Sequence, residues 1–402
     1  MTPIEMRTRG VEVALVLLAY ALGGCADTDG LAGAGQDDDE PVAAAPKQGR
    51  GGDKTSKPGP SGTPESTCEA GKTSCDDVCI DLSSDPESCG RCGHGCLGGV
   101  CEAGVCQPVT LATDLAIPQG LAIGPDGVYV TLSGGNSVVR IPKDGGTPAV
   151  VSNDTQSPWG IAVAIDGDKT TRVIWGENRG TSSNIVFHDP VASTTKKTLV
   201  GSDVWQVAIT GTLAFWATSS SSAGSVQRCP ITGCSGSPFA VIPSAPKVFG
   251  LIATGGQVAF GLRDSSGLVR RASTGGNGVT TLISAIDSPK GLATDGANVY
   301  AAVSGSNVIA RCPLTGCALG QQNAIAIADN PHSVASDGKN VYWTNGKADG
   351  GSISWCPAGS CSGSGQVLAA KQKNPYTIAV DDEAVYWTNA APKGQVMKVA
   401  RP

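Results

Sequence analysis

Histidine and positive charge are scarce in this chain. Three histidines in 402 residues leave little for a His-centred metal cage. Charged residues are only 16% of the total and the net charge is −6. That balance excludes a nucleic-acid binder, which would meet phosphates with a basic face. Aromatics are few: seven Trp, six Tyr and five Phe. No G-x-S-x-G, H-E-x-x-H or complete P-loop is present, so the common hydrolase, zincin and nucleotide signatures are excluded. The one sustained apolar run, Val13 to Leu22, is too short to span a bilayer as a helix.

Glycine and cysteine are abundant. With 55 glycines and 25 prolines, the composition suits many short strands joined by tight turns. Fifteen cysteines belong in an oxidising compartment. One of them, Cys25, stands apart at the end of an export signal. Arg7 and Arg9 precede the apolar run, which closes on Leu22-Gly23-Gly24-Cys25. This ending resembles the bacterial lipobox. The resemblance implies that residues 1–25 are a lipoprotein leader, that Cys25 carries lipid, and that the mature chain is anchored in the bacterial cell envelope through that lipid. Ala26 follows the cysteine instead of the Asp of the inner-membrane retention signal, which favours the outer membrane. Residues 26–67 hold no aromatic residue and almost no large aliphatic one, the composition of a disordered tether.

Eight cysteines follow within residues 68–107: Cys68, Cys75, Cys79, Cys89, Cys92, Cys96, Cys101 and Cys106. So small a segment cannot build a sufficient core, so disulfides must supply what burial does not. Eight cysteines allow 105 pairings, and spacing alone does not choose among them. The core Asp85-Pro86-Glu87-Ser88-Cys89-Gly90-Arg91-Cys92-Gly93 resembles the stigma-specific protein family, which implies a secreted Cys-rich module.

The remainder, residues 108–402, repeats one phrase. PQGLAIGPDGVYVT begins at Pro118, PKGLATDGANVYAA at Pro289, PHSVASDGKNVYWT at Pro331 and PYTIAVDDEAVYWT at Pro375. Looser copies begin at Pro158, Val204 and Val248. Seven copies at roughly 40-residue spacing, each reading as four short strands a to d, predict an all-β fold, a seven-bladed β-propeller. The last copy ends after its c strand, and residues 109–113 at the front supply the missing d strand, closing the ring. The Pro-x-Gly-Leu-Ala, Asp-Gly and Val-Tyr phrase resembles NHL-like and virginiamycin-lyase-like propellers. Three copies also carry close cysteine pairs around the c–d turn, expected as the disulfides Cys229–Cys234, Cys312–Cys317 and Cys356–Cys361.

The d–a and b–c loops of a propeller open on one face. The variable residue after each leading Pro or Val therefore points toward the central mouth, giving Gln119, Trp159, Trp205, Phe249, Lys290, His332 and Tyr376. Aromatic rings around a mouth suit a glycan, peptide or protein ligand. Glu177, Asn178, Asn345 and Asn389 from the b–c loops are expected on the same face. This pattern implies a binding protein, with no cofactor, no metal and no catalytic residue assigned. The virginiamycin-lyase resemblance implies a competing reading, a lyase or lactonase using His332 or Glu177. A third is a structural scaffold for an envelope complex.

Overall fold

The computed structural model describes residues 68–402 except 166–170, 220–223, 246, 264–266, 318–322, 360 and 362. The leader, Cys25 and the tether lie outside the described residues.

Seven four-stranded antiparallel sheets form the repeat region. Blades 1 to 6 span residues 118–152, 158–199, 204–242, 248–286, 289–327 and 331–372, and each runs a-b-c-d outward in chain order. Blade 7 joins the strands Pro375–Val380, Ala384–Asn389 and Gly394–Ala400 to the early strand Val109–Leu115. Inner strands of neighbouring blades touch all the way round, including blade 7 against blade 1. The fold is a seven-bladed β-propeller.

Burial follows the strand order. The b strands Gly127–Leu132 and Ala384–Asn389 are buried at every residue, whereas the d strand Thr194–Leu199 is exposed at all but one. A b strand is covered on both faces by adjacent blades, which is why its sequence reads as a continuous apolar and aromatic run. Trp175, Trp216, Trp343 and Trp387 occupy the equivalent b-strand position and are fully buried. Full burial of each is worth roughly 3–5 kcal/mol by the cost of truncating it to Ala.

The Asp-led a–b turns, Asp-Gly in three blades and Asp-Asp in blade 7, do more than reverse the chain. Tyr129, Tyr300, Tyr342 and Tyr386 donate their hydroxyls to Asp126, Asp295, Asp337 and Asp381, at 2.9, 2.7, 2.9 and 3.2 Å. The carboxylate of the turn thus supplies the partner that a buried tyrosine hydroxyl requires. Burial raises the pKa of Asp295, Asp337 and Asp381, but the hydrogen bonds they accept outweigh it and hold all three below the usual carboxylate value.

The Cys-rich module pairs Cys68–Cys79, Cys75–Cys92, Cys89–Cys101 and Cys96–Cys106. Bridges also join Cys229–Cys234, Cys312–Cys317 and Cys356–Cys361. The sulfurs of Cys89, Cys96 and Cys106 cluster within 4.8 Å, but all are committed to disulfides. One apolar cluster joins the module's Cys89, Cys96, Cys101 and Cys106 to Leu368 of blade 6 and Met397 and Ala400 of blade 7. His94 adds polar contacts, its Nδ1 2.7 Å from the Cys89 carbonyl and its Nε2 2.7 Å from the Arg401 carbonyl. The module is therefore seated on the propeller. Its disulfides indicate an extracellular or envelope location. Among the described residues no helix is long and apolar enough to cross a membrane.

Candidate functional site

Every inner strand breaks register just after its first residue, between Pro118 and Leu121, Pro158 and Ile161, Val204 and Gln206, Val248 and Leu251, Pro289 and Leu292, Pro331 and Val334, and Pro375 and Ile378. Such a bulge re-aims the extra side chain, here the variable residue of each phrase. The glycine that follows in blades 1, 2, 4 and 5 has a steric cause. A Cβ on Gly120 would lie 2.1 Å from the Trp159 carbonyl oxygen, and one on Gly250 2.2 Å from that of Lys290. The next blade's backbone passes through the space a side chain would occupy.

Threonines of the b strands lock the same backbone. Thr131 donates to the Trp159 carbonyl at 2.6 Å, Thr344 to that of Tyr376 at 3.1 Å and Thr388 to that of Gln119 at 3.3 Å. Each also accepts from its own blade's inner strand, from the N–H of Gly120, Ser333 and Thr377 respectively. A variable residue is thus held by the blade before it.

These devices bring five rings into one closed circuit. Trp159 and Trp205 meet edge to face with centroids 4.4 Å apart, Trp205 and Phe249 are 5.5 Å apart, and Phe249 and His332 5.8 Å. His332 lies 3.6 Å from Tyr376, which returns to Trp159 at 6.2 Å. Trp159, Trp205, His332 and Tyr376 keep part of their surface exposed, while Gln119 and Phe249 are buried. Gln119, Trp159, Trp205, Phe249 and Tyr376 line a cavity of about 40 Å³. That is room for a group the size of one water, so the rings close the mouth instead of ringing an open well.

The electrostatics of the mouth are one-sided. Burial lowers the Lys290 pKa, and the Arg263 guanidinium lowers it further. Burial, then Lys290 and Arg263, bring His332 down to about 3, against a smaller opposing effect of its backbone hydrogen bond to Tyr376. His332 is therefore neutral at physiological pH. Arg263 lies over Phe249, 5.1 Å from the ring centroid, a cation–π contact. It was missed in the sequence. It directly follows the b strand Gln257–Leu262 as Asn178 follows Thr171–Glu177, and reading the b–c loop of blade 4 beside that of blade 2 would have found it.

The four b–c residues expected at the mouth are engaged in contacts within and between the blades. Glu177 is buried and turned outward along blade 2, accepting from Asn184 at 2.9 Å and Lys197 at 3.1 Å. A buried carboxylate seeks a cation, and the outer strand supplies one. Asn178 accepts from the Val204 N–H, and Asn345 accepts from the Asp329 N–H while donating to Ser352 and Ser354. Asn389 donates to Gln372 and Gln395. All four hold loops together.

The profile of the stigma-specific STIG1-like protein family matches residues 52–108. No curated protein matches the chain. Among solved structures, virginiamycin B lyase from Staphylococcus aureus is similar with a TM-score of 0.57 at 16% identity, covering 74% of this chain and 99% of its own. A streptogramin B lyase structure gives 0.57 at 14%, covering 73% and 97%. The U3-55K structure gives 0.57 at 10%, covering 73% and 98%. These likenesses show the propeller fold, which hosts many unrelated activities.

Proposed function

We propose that the chain is a lipid-anchored binding protein of the bacterial cell envelope, on the outer membrane, whose propeller holds a glycan, peptide or protein at its mouth. The carrying observation is the convergence of Trp159, Trp205, Phe249, His332 and Tyr376 into one partly exposed circuit. Four of the chain's 18 aromatic residues stand at this one repeated position, with His332 at a fifth. Two solved relatives are lyases by name. Against a lyase reading here stands His332, because a group with a pKa of about 3 is a weak proton acceptor at neutral pH. Glu177, the other candidate, is ion-paired inside blade 2.

Binding is tested by tryptophan fluorescence during titration with peptidoglycan fragments and envelope polysaccharides. Trp159→Ala and Trp205→Ala should each weaken the response at least tenfold with circular dichroism unchanged. Unaltered affinity in both variants would place the site elsewhere. Anchoring is tested by labelling with radioactive palmitate, which Cys25→Ser should abolish.

A further inference from the structure

The mouth is chemically lopsided. On the side of blades 4 and 5 stand two cations, Arg263 over the Phe249 ring and Lys290 at the variable position of blade 5. Among the described residues neither forms an ion pair, and no carboxylate is among the groups that act on Lys290, His332 or Tyr376. Among the described residues these two like charges stand together with no counter-ion, in a chain of net charge −6, and an anion would relieve their repulsion. Across the ring, blade 1 contributes Gln119, about nine-tenths buried and lining the small cavity. Among the described residues its Oε1 has no hydrogen-bond partner. An unpaired buried acceptor calls for a donor. Between the cations and this oxygen lie the partly exposed rings of Trp159, Trp205 and Tyr376.

We infer that the mouth receives an acidic sugar, a pyranose bearing a carboxylate or a sulfate. The anion accepts from Arg263 and Lys290, and the C–H face of the ring lies over the indoles. The cavity of about 40 Å³ admits one hydroxyl, which donates to Gln119. A peptide carboxylate would satisfy the cations, but it would bring no hydroxyl-bearing ring to the aromatic surface. The inference rests on binding at the aromatic mouth and adds the ligand's chemistry to it.

The test uses the disulfide-bonded protein and four polymers: polygalacturonate, dextran sulfate, neutral dextran and polyglutamate. Binding is read by tryptophan fluorescence at two salt concentrations. Polygalacturonate or dextran sulfate should bind, with whichever is tighter naming the anion. Neutral dextran and polyglutamate should bind at least tenfold more weakly. Arg263→Ala and Lys290→Gln should each raise the dissociation constant about tenfold, the scale of one charge-assisted hydrogen bond, and reduce its salt dependence. Gln119→Leu should weaken the acidic polysaccharide several-fold. Arg263 is exposed, so its loss leaves the fold intact. Equal binding of polyglutamate would overturn the sugar, and equal binding of neutral dextran would overturn the anion. If the cation variants bind polygalacturonate as the wild type does while Trp159→Ala does not, the acidic ligand falls and the aromatic mouth stands. If Trp159→Ala also binds unchanged, both fall. Absence of binding to either acidic polymer overturns the inference as well.

Discussion

The Thr131 hydroxyl of blade 1 donates to the carbonyl oxygen of Trp159 in blade 2, 2.6 Å away. The same hydroxyl accepts from the Gly120 N–H at 2.8 Å. One atom therefore couples the bulge of its own blade to the residue that opens the aromatic circuit in the next. Removing it with Thr131→Val keeps the volume and leaves two buried backbone groups unpaired. The expected loss is about 1–3 kcal/mol in urea unfolding, with a shift in tryptophan emission.

Gly120→Ala tests the close approach directly, since the added carbon would lie 2.1 Å from the Trp159 oxygen. It is expected to cost at least about 2 kcal/mol, whereas Gly236→Ala, with nothing within 4 Å, should be close to neutral. Thermal melts of the two variants decide this.

Asp337 accepts from Tyr342 and from Arg401, each at 2.9 Å. Asp337→Asn is expected to cost about 2–3 kcal/mol at neutral pH by weakening a partly buried network. Because the folded pKa lies below the ordinary 3.8, the ionised form's contribution is complete above that value. It is lost as pH falls through the folded pKa, so the gap between wild type and variant should narrow below pH 3.8.

His332 reverses the pattern for a base. Its folded pKa of about 3 lies below its ordinary 6.5, so between those values only the unfolded chain takes up the proton. Stability should therefore rise with pH across that window, by at most about 1.4 kcal/mol per pH unit. His332→Phe is expected to flatten this part of the profile, as read by melting temperature against pH.

Ile117 precedes the bulge of blade 1 with φ of 54°, where blades 6 and 7 place Asn330 and Asn374 at 49° and 52°. A β-branched residue is strained in the left-handed region, and asparagine tolerates it. Ile117→Asn should raise stability by about 1 kcal/mol, measured by chemical denaturation.

The blades were legible because one phrase had to serve the same packing seven times. Strand a, the Asp-Gly turn and the apolar strand b answer to local rules that sequence displays. The convergence of Trp159, Trp205, Phe249, His332 and Tyr376 was also legible, since equivalent positions in a ring must face one axis. Their closure to a cavity of about 40 Å³ was not, because ring-to-ring contact depends on rotamers across different blades. Glu177 shows the same limit: its loop was assigned to the right blade, but the partner that turns it outward, Lys197, lies on a strand two further on. Arg263 lies just past the repeated phrase of blade 4 and shows only when its loop is aligned with that of blade 2. Pairing within the Cys-rich module depends on how 39 residues fold in three dimensions, as the links Cys68–Cys79 and Cys75–Cys92 illustrate by crossing in sequence.

The strand that seals blade 7 has a consequence in time. Thr110 and its neighbour Met397 stand 287 residues apart in the chain. As the polypeptide is made from its N-terminus, the first propeller strand appears early and its hydrogen-bonding partner nearly last. The seated module waits for the same late segment, because His94 contacts Arg401. Until then Val109–Leu115 is an unpaired edge, open to wrong pairings. Completion of the final seven-residue strand Gly394–Ala400 is thus the step that turns an open, aggregation-exposed arc into a sealed ring.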